Sequence, residues 1–346
     1  MAHRTPERLA AWLAQVAEDP LEPDLPIIDP HHHLWERPGN RYLLPDLLAD
    51  LACGHRVVAT VFVECGARYR AGGPEALRPV GETEFVEREA APTRAGEIAP
   101  GTRVAEGIVA CADLTLGAAV DAVLEAHREA SPERLRGIRH SAAWDASPGI
   151  QGYRNPPPGT YLDPRFREGF ARLAAHGLTF DAWQYHPQLA ELADLARAFP
   201  ETTIICNHAG APLCLGPYGA IRERAVAHWH DAVAMLARCE NVVIKLGGMG
   251  QPNPALGLDE RPVPPTSEEL AQAIAPYLRH VIDTFGPERC MFESNFPVDK
   301  RSYGYGVMWN AFKRVSAGYG AAERAQMFYG TAARIYRLPL PERLAL

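Results

Sequence analysis

Apolar and polar positions along the chain sort into two kinds of segment that alternate. One kind is short, β-branched and apolar at nearly every position: residues 26–32 (PIIDPHH), 56–64 (RVVATVFVE), 103–111 (RVAEGIVAC), 135–141 (LRGIRHS), 178–185 (LTFDAWQY), 202–208 (TTIICNH), 241–247 (NVVIKLG) and 289–295 (RCMFESN). Runs of this length without polar alternation suit strands covered on both faces, as in a parallel sheet. The other kind carries helical periodicity with readable ends. One such segment starts at Asp163-Pro164 and stops at His176-Gly177, and another runs from Pro187 to Phe199 ahead of Pro200. Eight alternations with no central linker predict an α/β fold, a single (β/α)8 TIM barrel. An open doubly wound sheet would carry a glycine-rich phosphate loop after its first strand, and none follows Asp29.

Around this repeat the chain divides into an N-terminal helical extension (1–25), the barrel (26–337) and a short C-terminal tail (338–346). The extension reads as an amphipathic helix on Leu9, Trp12, Leu13 and Val16, without the basic-then-apolar pattern of an export signal. Three stretches rich in proline and glycine, 66–80, 145–163 and 248–265, are expected to be long loops. The first and last directly follow strands, which places them on the carboxyl face where barrel enzymes work.

Composition narrows the classes of function. With 47% hydrophobic and 22% charged residues, the chain can bury a large core, and it has no apolar run long enough to span a membrane. A net charge of -7 and the lack of a basic stripe argue against nucleic acid, so a small-molecule substrate is expected, with homo- or hetero-oligomerisation left open. Seven scattered cysteines with no C-x-x-C fit reduced thiols and a cytoplasmic protein. Cys65 and Cys206 neighbour candidate site residues but are expected to be buried and inert.

Polar residues recur where the apolar runs end. Asp29-Pro30-His31-His32-His33 closes the first, and strand alternation turns His31 and His33 to one side with His32 opposed, a spacing that offers two imidazoles to one metal ion. Glu64 ends the second run, Arg139 and His140 the fourth, Tyr185 and His186 the fifth, Asn207 and His208 the sixth. Lys245 lies on the seventh, and Glu293, Ser294 and Asn295 end the eighth. In a barrel all of these converge on one mouth.

Three motifs in order, D-x-H-x-H at the first strand, NHAGAP (207–212) at the sixth and SNFPVDK (294–300) at the eighth, resemble the amidohydrolase superfamily, in particular its lactonase and 2-pyrone-4,6-dicarboxylate hydrolase-like branch. The resemblance spans about residues 26–337. It implies a distorted barrel, water attack on an ester, lactone or amide carbon, and often a divalent metal, although some members of the branch work without one. It also implies that His31, His33 and His208 are metal or substrate ligands.

At the eighth strand the family commonly has Ser-Asp-Trp-Pro, its aspartate serving as ligand and base, where this chain has Ser294-Asn295-Phe296-Pro297. An amide accepts no proton at neutral pH, so Asn295 is restricted to coordinating through oxygen or holding a water. Glu64, Glu293 and Asp299 are the carboxylates available as base, with Glu64 preferred because it ends a strand. The expected ligand set for zinc or manganese is drawn from His31, His33, Glu64, His140, His186, His208 and Asn295. The same set also admits an iron or cobalt pair, which would make the protein a dinuclear oxygenase. A non-catalytic partner subunit is a third reading. Arg139 and Lys245 are the expected partners of a substrate carboxylate, with Trp183 and Tyr185 as apolar walls.

Overall fold

The computed structural model describes residues 4–150, 152 and 154–339. Each of the eight apolar runs contains a strand: β1 Ile27–His32, β2 Val57–Val63, β3 Arg103–Cys111, β4 Leu135–Ser141, β5 Thr179–Trp183, β6 Ile204–Cys206, β7 Val242–Leu246 and β8 Cys290–Phe292. They pair in parallel and in chain order from β1 to β8. The barrel closes beyond the end of β8 rather than along it. The Asn295 amide donates to the His31 carbonyl (2.8 Å) and the His33 amide to the Phe296 carbonyl (2.8 Å). This closure tolerates Pro30, which lacks an amide donor, and it fixes Asn295 beside the first-strand histidines.

Side chains of the strands divide between two layers. Outward residues such as Phe62, Ile108, Phe180 and Ile244 pack under the helices. Inward residues, among them Ile28, Val61, Val63, Ile205, Val243 and Met291, fill the barrel together with Ala332, Ile335, Tyr336 and Leu338 from the C-terminal segment. Arg337 donates to the carbonyl of Gly177, just before β5, so this segment caps the amino-terminal end and leaves the opposite end for chemistry. Leu338 therefore belongs to the barrel, and residues 340–346 of the expected tail lie outside the described residues.

The expected helix 163–177 forms as Pro164–Phe170 and Arg172–Ala175, capped by Asp163, and the 187–199 segment forms as Leu189–Ala198. The N-terminal helix is shorter than its periodicity suggests, Pro6–Leu13, with Val16 beyond its end. Only Trp12 of its apolar stripe is buried, and its indole N–H lies against the carbonyls of Arg261 (3.2 Å) and Pro262 (3.1 Å). The proline-rich stretch 145–163 also follows a strand, β4, and so joins the other two on the carboxyl face, where Arg154 reaches Glu64 at 3.4 Å. A hairpin not foreseen from the pattern, Trp35–Arg37 paired with Asn40–Tyr42, turns at Pro38-Gly39, where Gly39 has φ +68°. No helix among the described residues is long and apolar enough to cross a membrane.

Candidate active site

Three imidazoles meet at the carboxyl end. The ring of His31 lies 4.9 Å from that of His33 and 4.7 Å from that of His208, centroid to centroid. His32 faces away, as alternation requires, with its Nε2 2.8 Å from Thr60 Oγ1. His33 Nδ1 sits 2.7 Å from the Val63 carbonyl and must carry the hydrogen, because a carbonyl only accepts. Burial and the neighbouring Arg139 charge hold the His33 and His31 pKa values well below the ordinary imidazole range, with burial the larger cause for both; for His31 the Lys245 ammonium is the next cause. His33 is therefore neutral, with a bare lone pair on Nε2.

Glu293 is the organising carboxylate. It is fully buried, accepts from the His208 amide (2.9 Å) and His208 Nδ1 (2.6 Å) through Oε1, and brings Oε2 to 2.7 Å from His31 Nδ1. That last approach is a close contact with a neutral imidazole off the line of a hydrogen bond, which leaves Oε2 without a bonded partner among the described residues. Two glycines make room for this arrangement. A Cβ on Gly247 would stand 2.4 Å from Glu293 Cγ, and one on Gly248, which has φ +69°, would stand 2.5 Å from His208 Cβ. His208 and Asn295 themselves adopt left-handed backbone conformations, φ 57° and 54°, an uncommon cost that recurs at functional sites.

Asn295 is held from behind. Its Nδ2 donates to Asp299 Oδ1 (2.8 Å), which turns its Oδ1 toward His33 Nε2 at 3.3 Å. Two acceptors thus face each other, and what satisfies both is a donor or a cation. Asp299 also accepts from the Gly250 amide (3.0 Å) and Tyr303 hydroxyl (2.6 Å), while burial raises its pKa to about 6.

Beneath the histidines, Lys245 is fully buried, 2.6 Å from Asp181 Oδ1 and 3.3 Å from His31 Nδ1. The Tyr336 hydroxyl and Asn207 amide, both 3.0 Å from Asp181 Oδ1, complete the pair. Lys245 is thus a buried support beneath His31, occupied by Asp181, and it does not line the cavity. Arg139 does line it, but its Nε donates to Glu64 Oε1 at 2.7 Å and its Nη2 to the Glu64 carbonyl, while its Nη1 lies 3.4 Å from His31 Nε2.

The cavity itself has a volume of about 140 Å3. His33, Arg139, His208, Asn295 and Gln251 form its polar walls, and Trp35, Arg37, Cys65, Trp183 and Val298 the rest. Cys65 and Cys206 are buried, and burial raises both thiols, Cys206 to about 12, in keeping with inert roles.

Of the residues expected from sequence, His31, His33, His208, Asn295, Arg139 and Trp183 come together, with Asp299 directly behind. Three others stand apart. His140 packs its ring on Phe166 (5.2 Å) and accepts from the Leu114 amide (3.2 Å). His186 accepts from the Leu213 amide (3.0 Å) beside Tyr218 and His228. Tyr185 packs with Ile150, Ala211 and Leu213. His140 lies on β4 and faces the helices because it alternates with the inward Arg139, whereas Tyr185 and His186 lie beyond the end of β5. Glu64, the favoured base, has Arg139 at 2.7 Å on one oxygen and Arg154 at 3.4 Å on the other; Glu293 takes the central place instead. Asp181, Tyr303, Gln251 and Arg37 were not singled out. Asp181 was legible as the inward partner, by alternation, of Trp183, and Arg37 from the Pro-Gly turn after WER.

A divalent ion fits this donor set. One ligand atom from each of His31, His208 and Glu293 falls within 4.8 Å of the others, Glu293 Oε2 is an orphaned buried oxygen, and imidazole with carboxylate suits zinc. Lys245 and Arg139 flank His31, making it the weakest donor of the three while those contacts hold.

Known proteins resemble this chain along most of its length. A family model described as amidohydrolase matches residues 28–338. An uncharacterized protein, y4mH, of Sinorhizobium fredii is 32% identical over 337 residues, covering 91% of this chain and 99% of that one. An L-fucono-1,5-lactonase of Burkholderia ambifaria is 27% identical over 331 residues, covering 91% and 96%. The crystal structure of an amidohydrolase from Burkholderia multivorans with bound zinc superposes with a TM-score of 0.66 at 26% identity, covering 90% and 99%. With its histidines and Glu293 gathered at the carboxyl end of an eight-stranded barrel, the chain belongs to the amidohydrolase family and is a hydrolase.

Proposed function

We propose that this protein is a metal-dependent lactonase that opens the ring of a small, polar lactone of the sugar-acid kind. The observation that carries the reading is the pair of facing acceptors, His33 Nε2 and Asn295 Oδ1, set 3.3 Å apart on a small cavity that also presents His208 and Arg139. The similarity to L-fucono-1,5-lactonase supports the substrate class.

A divalent ion, zinc or manganese, would be held by His31, His208 and Glu293, and would polarise the carbonyl and lower the pKa of a bound water toward about 7. The chain's own groups do the rest. His33 Nε2 accepts a proton from the attacking water, and its Nδ1–H on the Val63 carbonyl steadies the imidazolium that forms. Asn295 Oδ1 takes the second hydrogen of that water and orients it, with Asp299 fixing the amide. Arg139 Nη1 places positive charge at the cavity wall, opposite the charge that develops on the carbonyl oxygen. Trp35 and Trp183 shield the ring from bulk water.

The test is a pH-stat panel of aldonolactones with protein loaded with zinc or manganese, then stripped by chelator. Ring opening that is lost on stripping and regained on reloading is expected. Failure to hydrolyse any lactone or ester, or oxygen uptake in place of hydrolysis, overturns the reading.

A further inference from the structure

The catalytic cavity is too small to hold more than a reacting head group. Its volume of about 140 Å3 is that of a cavity that takes one small ring. It does not end blindly. Trp35, Arg37 and Val298 line both this cavity and an outer hollow of about 890 Å3, bounded by the N-terminal helix, the 35–42 hairpin and residues 297–301. A substrate that extends from the reacting carbon into this hollow passes these three side chains.

Of the charges around the hollow, the Glu260 carboxylate has no basic partner among the described residues, and the others are mostly spoken for. Lys300 pairs with Asp50 (2.7 Å), Arg301 with Asp259 (2.6 Å) and Arg41 with Asp46 (3.6 Å). Arg4 donates to the carbonyls of Asp259 (2.6 Å) and Arg261 (3.1 Å). Arg37 differs. Its guanidinium lies over the Trp35 ring at 4.3 Å, one nitrogen donates to the Cys65 carbonyl (2.8 Å), and no carboxylate among the described residues pairs with it. Stacking and the single hydrogen bond fix the plane of the fork at the junction while leaving its other N–H groups for a ligand. Inside the cavity the other guanidinium, Arg139, already faces Glu64.

We propose that Arg37 and the hollow behind it form a second substrate subsite, which takes a carboxylate carried several atoms away from the carbonyl under attack. A lactone of the sugar-acid kind that extends past Arg37 and carries a distal carboxylate is then bound more tightly than its compact neutral counterpart. The planar fork suits a carboxylate by paired N–H donation. Its open position makes the contact salt-sensitive. This inference rests on the hydrolase site proposed above for where the reacting carbonyl sits.

The experiment separates the two. Binding of glutarate and of its neutral diamide is measured by calorimetry on the metal-loaded protein, with Arg37→Gln and Arg37→Lys alongside and folding checked by circular dichroism. Glutarate is expected to bind at least tenfold more tightly than the diamide, with that ratio falling toward one in Arg37→Gln and partly recovered in Arg37→Lys. On lactones that differ only in a distal carboxylate or its methyl ester, the wild-type preference for the acid is expected to lie in KM and to vanish in Arg37→Gln. No preference in the wild type, no binding of glutarate, or a preference that survives Arg37→Gln overturns the subsite. A glutarate preference lost in Arg37→Gln, with no lactone hydrolysed by any form, sustains the subsite and overturns the lactonase reading alone.

Discussion

Replacing Glu293 by glutamine keeps the size of the side chain and removes its charge and one acceptor. In the native arrangement a single carboxylate accepts two hydrogen bonds from His208, at 2.9 and 2.6 Å, and lies 2.7 Å from His31 Nδ1, with no exposure to solvent. Hydrogen bonds to a charged group contribute roughly 1.5–3 kcal/mol each, and residues that only orient a ligating histidine are worth about 10–100-fold in metal affinity or activity, a floor for Glu293, which orients His208 and would also hold the ion. Glu293→Gln turns an amide hydrogen toward either His31 or His208, so one imidazole loses its orientation. The expected result is a fall of at least roughly 10–100-fold in kcat/KM and in metal affinity, which corresponds to at least about 1.4–2.7 kcal/mol of lost stabilisation. Initial rates on the best lactone and chelator-buffered metal titration read both quantities, and a thermal melt reports folding. A variant with more than half the native rate and unchanged metal affinity would refute the claim that Glu293 organises the site.

Other perturbations read other parts of the account. The folded pKa of Asp299, about 6, stands above the ordinary aspartate value of 3.8. The folded state therefore holds a proton that the unfolded state releases between those pH values, and this group's contribution makes stability fall as pH rises from about 4 to about 6, by about 3 kcal/mol in all. Asp299→Asn should remove that part of the slope in denaturant unfolding measured across this range, and an unaltered slope would contradict the assignment. Gly248→Ala places a Cβ 2.5 Å from His208 Cβ at φ +69° and should cost about 1–3 kcal/mol, with activity lost even where the protein stays folded; full activity would show that His208 has freedom to move. His33→Ala should abolish turnover in a protein that still folds, and an active variant would remove His33 as proton acceptor. His140→Gln should keep activity within twofold and lose about 1 kcal/mol with the Leu114 contact; a large loss of turnover would place His140 back in the site.

How much of this could be read from the chain depends on the scale of the contact. Strand order and the barrel follow from apolar runs, because burial on both faces leaves a composition signal in each strand. His31 and His33 follow from two-residue alternation, which is local geometry. His140 faces Phe166 because alternation with the inward Arg139 turns it outward on β4, and His186 lies beyond the end of β5, where the chain has turned toward Tyr218. Glu64 seemed the better base than Glu293 because its two arginine neighbours come from residues 139 and 154, a pairing across the barrel that no spacing encodes. The 35–42 hairpin carried its own signal in Pro38-Gly39, yet its consequence, an arginine fixed on Trp35 at the cavity mouth, belongs to tertiary structure.

The most direct test of the central claim is the rate of lactone opening by the metal-loaded protein, native and Glu293→Gln, on one aldonolactone at pH 7.5. The account predicts chelator-sensitive hydrolysis by the native protein and a rate at least tenfold lower in a variant whose melting curve shows it to be folded. Equal rates in the two proteins, or no hydrolysis by the native protein with metal bound, would contradict it.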